Sequence, residues 1–106
     1  MNWTVRTLDH RVEKEILALP VQVRASFFRI IDLLIEFGPE MVGMPYVRPL
    51  GSGLWEIRAR GKEGIGRGIY IKAGEQEIVV LHAFVKKTQK TPKSALDLAR
   101  KRAKEV

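Results

Sequence analysis

The chain contains no cysteine. That excludes a disulfide framework and a thiolate zinc site. The two histidines, His10 and His82, fall in different predicted elements with no clustered carboxylates beside them. A metal centre is therefore not expected, nor any cofactor. No run approaches the ~20 apolar residues of a membrane span. The opening Met1-Asn2-Trp3-Thr4 lacks the basic and apolar regions of a secretory signal. A cytoplasmic protein without membrane contact is expected. There is no internal repeat, no low-complexity tract and no sign of a domain boundary. Gly61, Gly64, Gly66 and Gly68 do not make a phosphate cradle, because the Walker pattern is missing and no helix follows to lend its N-terminus. Hairpin turns account for them better.

What is present suffices for one domain, 1–106, with a core that needs no staples. The net charge is +7 and unevenly spread. Residues 1–40 carry 5 Lys/Arg against 6 Asp/Glu, while residues 41–106 carry 14 against 6. A basic patch confined to one part of a compact domain is the footprint of a polyanion partner, usually nucleic acid, or else a solubilising surface.

Hydrophobic periodicity gives the elements. Trp3 to Leu8 alternates and predicts a first strand. Asp9 is a candidate N-cap, and Val12, Ile16 and Leu19 then recur on one helical face. Arg11 and Glu15 are spaced for an i,i+4 ion pair. Pro20 ends this helix or opens the next. Val21 to Phe37 is helical, with Val23, Phe27, Ile30, Leu34 and Phe37 on one stripe and Arg29, Asp32 and Glu36 away from it. Gly38-Pro39 stops it. Glu40 to Gly53 reads as a loop with a short extended piece around Tyr46–Arg48. Leu54 to Arg60, Arg67 to Lys72 and Ile78 to Val85 predict an antiparallel meander. In the first of these, Trp55, Ile57 and Ala59 share one face while Glu56, Arg58 and Arg60 share the other. Thr91 and Pro92 form a helix start, and Lys93 to Lys104 predicts a last helix with a thin stripe of Ala95, Leu98, Ala99 and Ala103.

The strand from Ile78 ends in Lys86-Lys87-Thr88-Gln89-Lys90-Thr91-Pro92. A core strand thus delivers a cationic, hydroxyl-rich cluster to its end. In a meander, Arg58 and Arg60, Arg67 across the Gly61–Gly66 turn, and Lys86 and Lys87 can converge on one side of the sheet. Cations fixed on strands suit a phosphate whose charge grows in a transition state. A solvated face of alternating arginines is the competing reading. His82 lies within the apolar strand, where a packed, hydrogen-bonded role competes with a chemical one.

Pro49-Leu50, Gly53-Leu54-Trp55-Glu56-Ile57-Arg58, Arg67-Gly68-Ile69-Tyr70 and Val80-Leu81-His82-Ala83-Phe84-Val85 followed by the Lys86–Pro92 run resemble the RelE/ParE superfamily of type II toxins, most closely its HigB-like, phage-associated branch. The two N-terminal helices and the arginine-rich last helix fit as well. The resemblance implies an α+β fold: a first strand and an αα-hairpin on a mainly antiparallel sheet, with a C-terminal helix. It implies a ribosome-dependent mRNA endoribonuclease that needs no metal. A base activates the ribose 2′-OH, cations stabilise the attacked phosphate, and an acid protonates the leaving 5′-oxygen. Carried over by position, Arg58, Arg67, Lys86 and Lys87 are the catalytic candidates, and Arg60, Lys90 and His82 are RNA-binding candidates. A lysine lowered in pKa by neighbouring cations, or His82, is the candidate base; Lys86, Lys87 or an arginine is the candidate acid. The implied partners are mRNA, the ribosome and a cognate antitoxin, a small helix-turn-helix protein. Two other functions fit a basic domain of this kind: a ParE-like DNA gyrase inhibitor, and a plain basic RNA-binding domain.

Overall fold

A computed structural model describes residues 2–87 and 90–106. Five strands form one sheet: β1 (Thr4–Thr7), β2 (Val47–Gly51), β3 (Leu54–Gly61), β4 (Gly64–Gly74) and β5 (Glu77–Lys86). Their spatial order is β1-β5-β4-β3-β2. β2 to β5 run antiparallel to their neighbours, and β1 joins β5 in parallel. The helices are α1 (His10–Leu17), α2 (Val21–Phe37), the short α3 (Pro39–Val42) and α4 (Lys93–Ala103). No helix among the described residues is long and apolar enough to cross a membrane.

The α1–α2 hairpin covers one face of the sheet. Val12, Ile16, Leu19, Val23, Phe27, Ile30 and Leu34 meet Val47, Ile57, Ala59, Tyr70 and Val80 in one core. Phe37, placed on this stripe by periodicity, is instead 49% exposed, because Gly38 and Pro39 turn the chain away at its end. Asp9 caps α1 as expected, accepting from the Arg11 backbone N–H at 2.9 Å. α2 has no side chain of its own at its cap, since Pro20 stands there. The β3–β4 turn supplies one: Glu63 accepts from the Gln22 N–H at 2.9 Å.

Three expectations need correction. First, Glu40 to Gly53 is not a loop: it holds the end of α3 and a complete edge strand, β2, which begins at Val47 just after Tyr46 and pairs with β3. The prolines and glycines around it masked its pattern. Second, Gly61 to Gly66 is not one turn. Lys62 and Glu63 make the turn, and Gly66 and Gly68 lie inside β4. Their service is close approach. A Cβ on Gly66 would sit 2.6 Å from Val23 Cγ1, and one on Gly68 2.6 Å from the Phe27 ring. These bare positions let α2 lie flat on the sheet. Gly68→Ala is expected to cost about 1–3 kcal/mol through overpacking, read as a lower denaturant midpoint at unchanged slope. Third, Arg11 does not pair with Glu15. Arg11 bonds Asp9 and Glu105, while Glu15 turns to β5 and α4.

α4 packs on the opposite face, where Ala95 and Ala99 meet Leu54, Ile69, Val79 and Leu81. Arg102, on the same stripe, is buried and donates to Leu81 O at 2.9 Å and to the Glu15 carboxylate at 3.0 Å. The helix starts at Lys93 as predicted, but Pro92 rather than Thr91 stands at the cap. That releases the Thr91 hydroxyl for another task.

Candidate functional site

The second face of the sheet holds the cations. On β3, alternation puts Trp55, Ile57 and Ala59 toward the helices, so Glu56 and Arg58 point the other way. Register brings neighbours to them. Arg48 on β2 lies opposite Glu56, Arg67 on β4 lies opposite Arg58, and Lys86 on β5 lies opposite Ile65, two residues from Arg67. β2, β4 and β5, together with β3 itself, therefore deliver basic groups around one carboxylate.

Glu56 is wholly buried. Arg48 Nε donates to its Oε1 at 3.1 Å. Arg58 Nη1 and Arg67 Nε lie 3.7 and 3.6 Å from the same oxygen. The other oxygen accepts a short hydrogen bond from the Thr91 hydroxyl. The last helix is thus approached through a residue tied to the centre of the cluster.

Arg67 is the costliest member. It is 1% exposed and yet charged. Its Nη1 donates to Gly66 O at 3.1 Å, but its Nε is buried without a hydrogen-bond partner among the described residues. Burial lowers its pKa most, and Arg58, Arg60 and Arg48 lower it further, against Glu56, which raises it. Directly opposed like charges on neighbouring strands are unfavourable. Among the described residues, four cations (Arg48, Arg58, Arg67 and Lys86) face one anion. The imbalance leaves an electropositive seat that an added phosphate would neutralise. Lys86 feels it too: desolvation first, then Arg67 and Arg58, hold its amine below the ordinary lysine range.

The remaining candidates lie further out. Arg60 follows Arg58 on the same face and is exposed. Lys87 comes just after the end of β5 and is exposed, as is Lys90. Thr88 and Gln89 of the Lys86–Pro92 run lie outside the described residues. His82 belongs to a different group. Its Nδ1 shares a hydrogen bond with Glu15 Oε1 at 2.9 Å, and its ring stacks on Phe84 at 5.0 Å. Glu15 also accepts from the Ala83 N–H at 3.1 Å. β1 ends opposite Val80, so this carboxylate satisfies β5 where its edge is uncovered.

Sequence reasoning assembled Arg58, Arg67 and Lys86 correctly on one side of the sheet. It missed Arg48, Glu56 and Thr91. Alternation does put Glu56 on the face of Arg58 and Arg60, but a solvated carboxylate would carry the same pattern.

Comparison with known proteins agrees with this architecture. The structure matches a chain of the archaeal RelE-RelB complex from Pyrococcus horikoshii OT3 with a TM-score of 0.55 and 25% sequence identity, covering 80% of this chain and 96% of that one. No curated protein matches the sequence significantly. Residues 14–104 match the family described as Phage derived protein Gp49-like. With that match spanning α1 to α4, the chain belongs to the phage-derived Gp49-like family, and its fold is RelE-like.

Proposed function

We propose that the chain is the toxin of a type II toxin–antitoxin system, of the HigB-like branch, and that it cleaves mRNA on the ribosome. The observation that carries this reading is the excess of strand-fixed cations around Glu56. Arg67 is buried at a net electrostatic cost that its one carboxylate neighbour, Glu56, only partly offsets. A site that bears such strain fits one built for a ligand that relieves it.

The reaction is intramolecular transesterification. The ribose 2′-OH gives its proton to a base, an O2′–P bond forms, the P–O5′ bond breaks, and an acid returns a proton to the 5′-oxygen. The products are a 2′,3′-cyclic phosphate and a 5′-hydroxyl. Arg58 and Arg67 hold the equatorial oxygens as their charge grows. Neutral Lys86 takes the 2′-OH proton, which its lowered pKa favours. Glu56 and Thr91 are positioning residues: they fix the arginine heads and the start of the segment leading into α4. Arg60, Lys87 and Lys90 bind flanking phosphates at the rim.

With Lys86 as base, the cleavage rate rises with pH as the amine deprotonates and levels off below the ordinary lysine pKa. Arg58→Gln removes one cause of the lowering, so the levelling-off point moves up in pH. The pH–rate profile of both proteins checks this, and an unmoved profile rules Lys86 out as base.

The reading as a whole is tested with purified protein, mRNA and translating ribosomes. Cleavage is expected with ribosomes present and is lost in the Arg67→Ala/Lys87→Ala variant. Intact mRNA together with inhibited gyrase supercoiling would favour the ParE-like alternative and sink this one. The proposed partner is an antitoxin of the helix-turn-helix type that places acidic or apolar groups against the basic face or α4. A complex leaving both free would contradict that contact.

A further inference from the structure

An aromatic residue without a catalytic role stands just before β2. Tyr46 immediately precedes β2 and is 45% exposed. Val47, next to it, is wholly buried in the core beneath the α1–α2 hairpin. Arg48, one further, turns to the opposite face and reaches Glu56. Alternation places Tyr46 on the same face as Arg48. Its backbone is held there: the Arg58 N–H donates to Tyr46 O at 2.7 Å, and the Tyr46 N–H donates to Gly43 O at 3.1 Å. The β2–β3 register, Val47 opposite Ile57, puts Tyr46 directly across from Arg58. Cross-strand partners of this kind have Cβ atoms about 5 Å apart. The backbone position of Tyr46 therefore borders the phosphate seat at the β2 edge, and its side chain is half-exposed.

We infer that Tyr46 is a nucleobase platform: its ring stacks on the base of a single-stranded RNA nucleotide whose phosphate lies against Arg58 and Arg48. The inference rests on the reading of the site as an RNA site and adds to it the part of the substrate recognised there. Cations alone hold a phosphate of any polyanion. A ring beside them selects an unpaired base, because a base inside a duplex has both faces covered. Every base has such a face, so the contact favours single-stranded RNA over duplex without dictating sequence.

The test measures binding without cleavage. A fluorescent 2′-O-methyl oligoribonucleotide cannot undergo 2′-OH attack, and its anisotropy reports affinity at fixed, low salt. Wild-type protein is compared with Tyr46→Phe and Tyr46→Leu, and with oligonucleotides carrying one abasic position. Tyr46→Phe is expected to bind like the wild type, and Tyr46→Leu about tenfold more weakly. An abasic position at the stacked nucleotide is expected to weaken the wild type by a similar factor and to erase its advantage over Tyr46→Leu. Unfolding midpoints of both variants are expected to match the wild type, since the ring is half exposed. Equal binding by Tyr46→Leu would overturn the platform and leave the nuclease reading standing. Equal losses in Tyr46→Phe and Tyr46→Leu would assign the contact to the hydroxyl and overturn stacking. Absence of RNA binding by the wild type both alone and with ribosomes added would overturn both.

Discussion

Arg67→Met is expected to abolish toxicity while leaving the protein no less stable, and by about 1 kcal/mol more stable. The activity loss follows from the position of the charge. A single fixed donor to a developing oxyanion is typically worth about two to three orders of magnitude in rate. Arg67 is the most deeply buried cation of the site and sits directly across from Arg58. The stability gain follows from its surroundings. Burial and three arginines disfavour the charged guanidinium, one carboxylate favours it, and its Nε lacks a hydrogen-bond partner among the described residues. Methionine fills similar space with no charge to bury. Glu56 keeps Arg48, Arg58 and Thr91 as partners. Growth after induction and thermal unfolding of the purified variant check the two halves separately. A variant that is inactive because it is unfolded would refute the second half.

Glu56→Leu is expected to act in the opposite direction on stability. It removes the one anion that Arg48, Arg58 and Arg67 share. Arg67 is then a buried cation with like charges for neighbours, and Thr91 loses its acceptor. Removing one partner of a buried pair in this way costs about 3–5 kcal/mol, a large share of the stability of a domain this size. The double variant Glu56→Leu/Arg67→Met should recover much of the loss, because the stranded charge goes with its partner. That makes the pair strongly non-additive in a double-mutant cycle. Additive costs would mean that the two side chains are not coupled and that the cluster is held some other way.

These two residues also show where the sequence could be read and where it could not. The helix-side faces of α2 and β3 were plain, because burial imposes periods of 3.6 and 2 on Val23, Phe27, Ile30 and Leu34 and on Trp55, Ile57 and Ala59. The same alternation placed Arg58 opposite to that core, and strand order then carried Arg67 and Lys86 to its side. Glu56 lies on the same alternating face, but nothing local distinguishes a buried counter-charge from a solvated one. Its burial depends on β2 and on Thr91, which arrives from a segment 35 residues away. Thr91 read as a helix cap because hydroxyls before Pro commonly are. Here the cap falls on Pro92 and the hydroxyl turns to Glu56. β2 was obscured by Pro49 and Gly51, which an edge strand tolerates because one of its sides has no ladder to lose. Gly66 and Gly68 read as turn residues because the need for a bare backbone comes from Val23 and Phe27, about 40 residues earlier in the chain.

The most direct test of the central claim is a map of mRNA 5′ ends in bacteria shortly after induction. Wild-type protein is expected to arrest growth and to create new 5′-hydroxyl ends inside translated reading frames. Those ends should be missing with Arg67→Met at equal protein level. Growth arrest with an unchanged set of mRNA ends would contradict the assignment of this cation cluster to RNA cleavage.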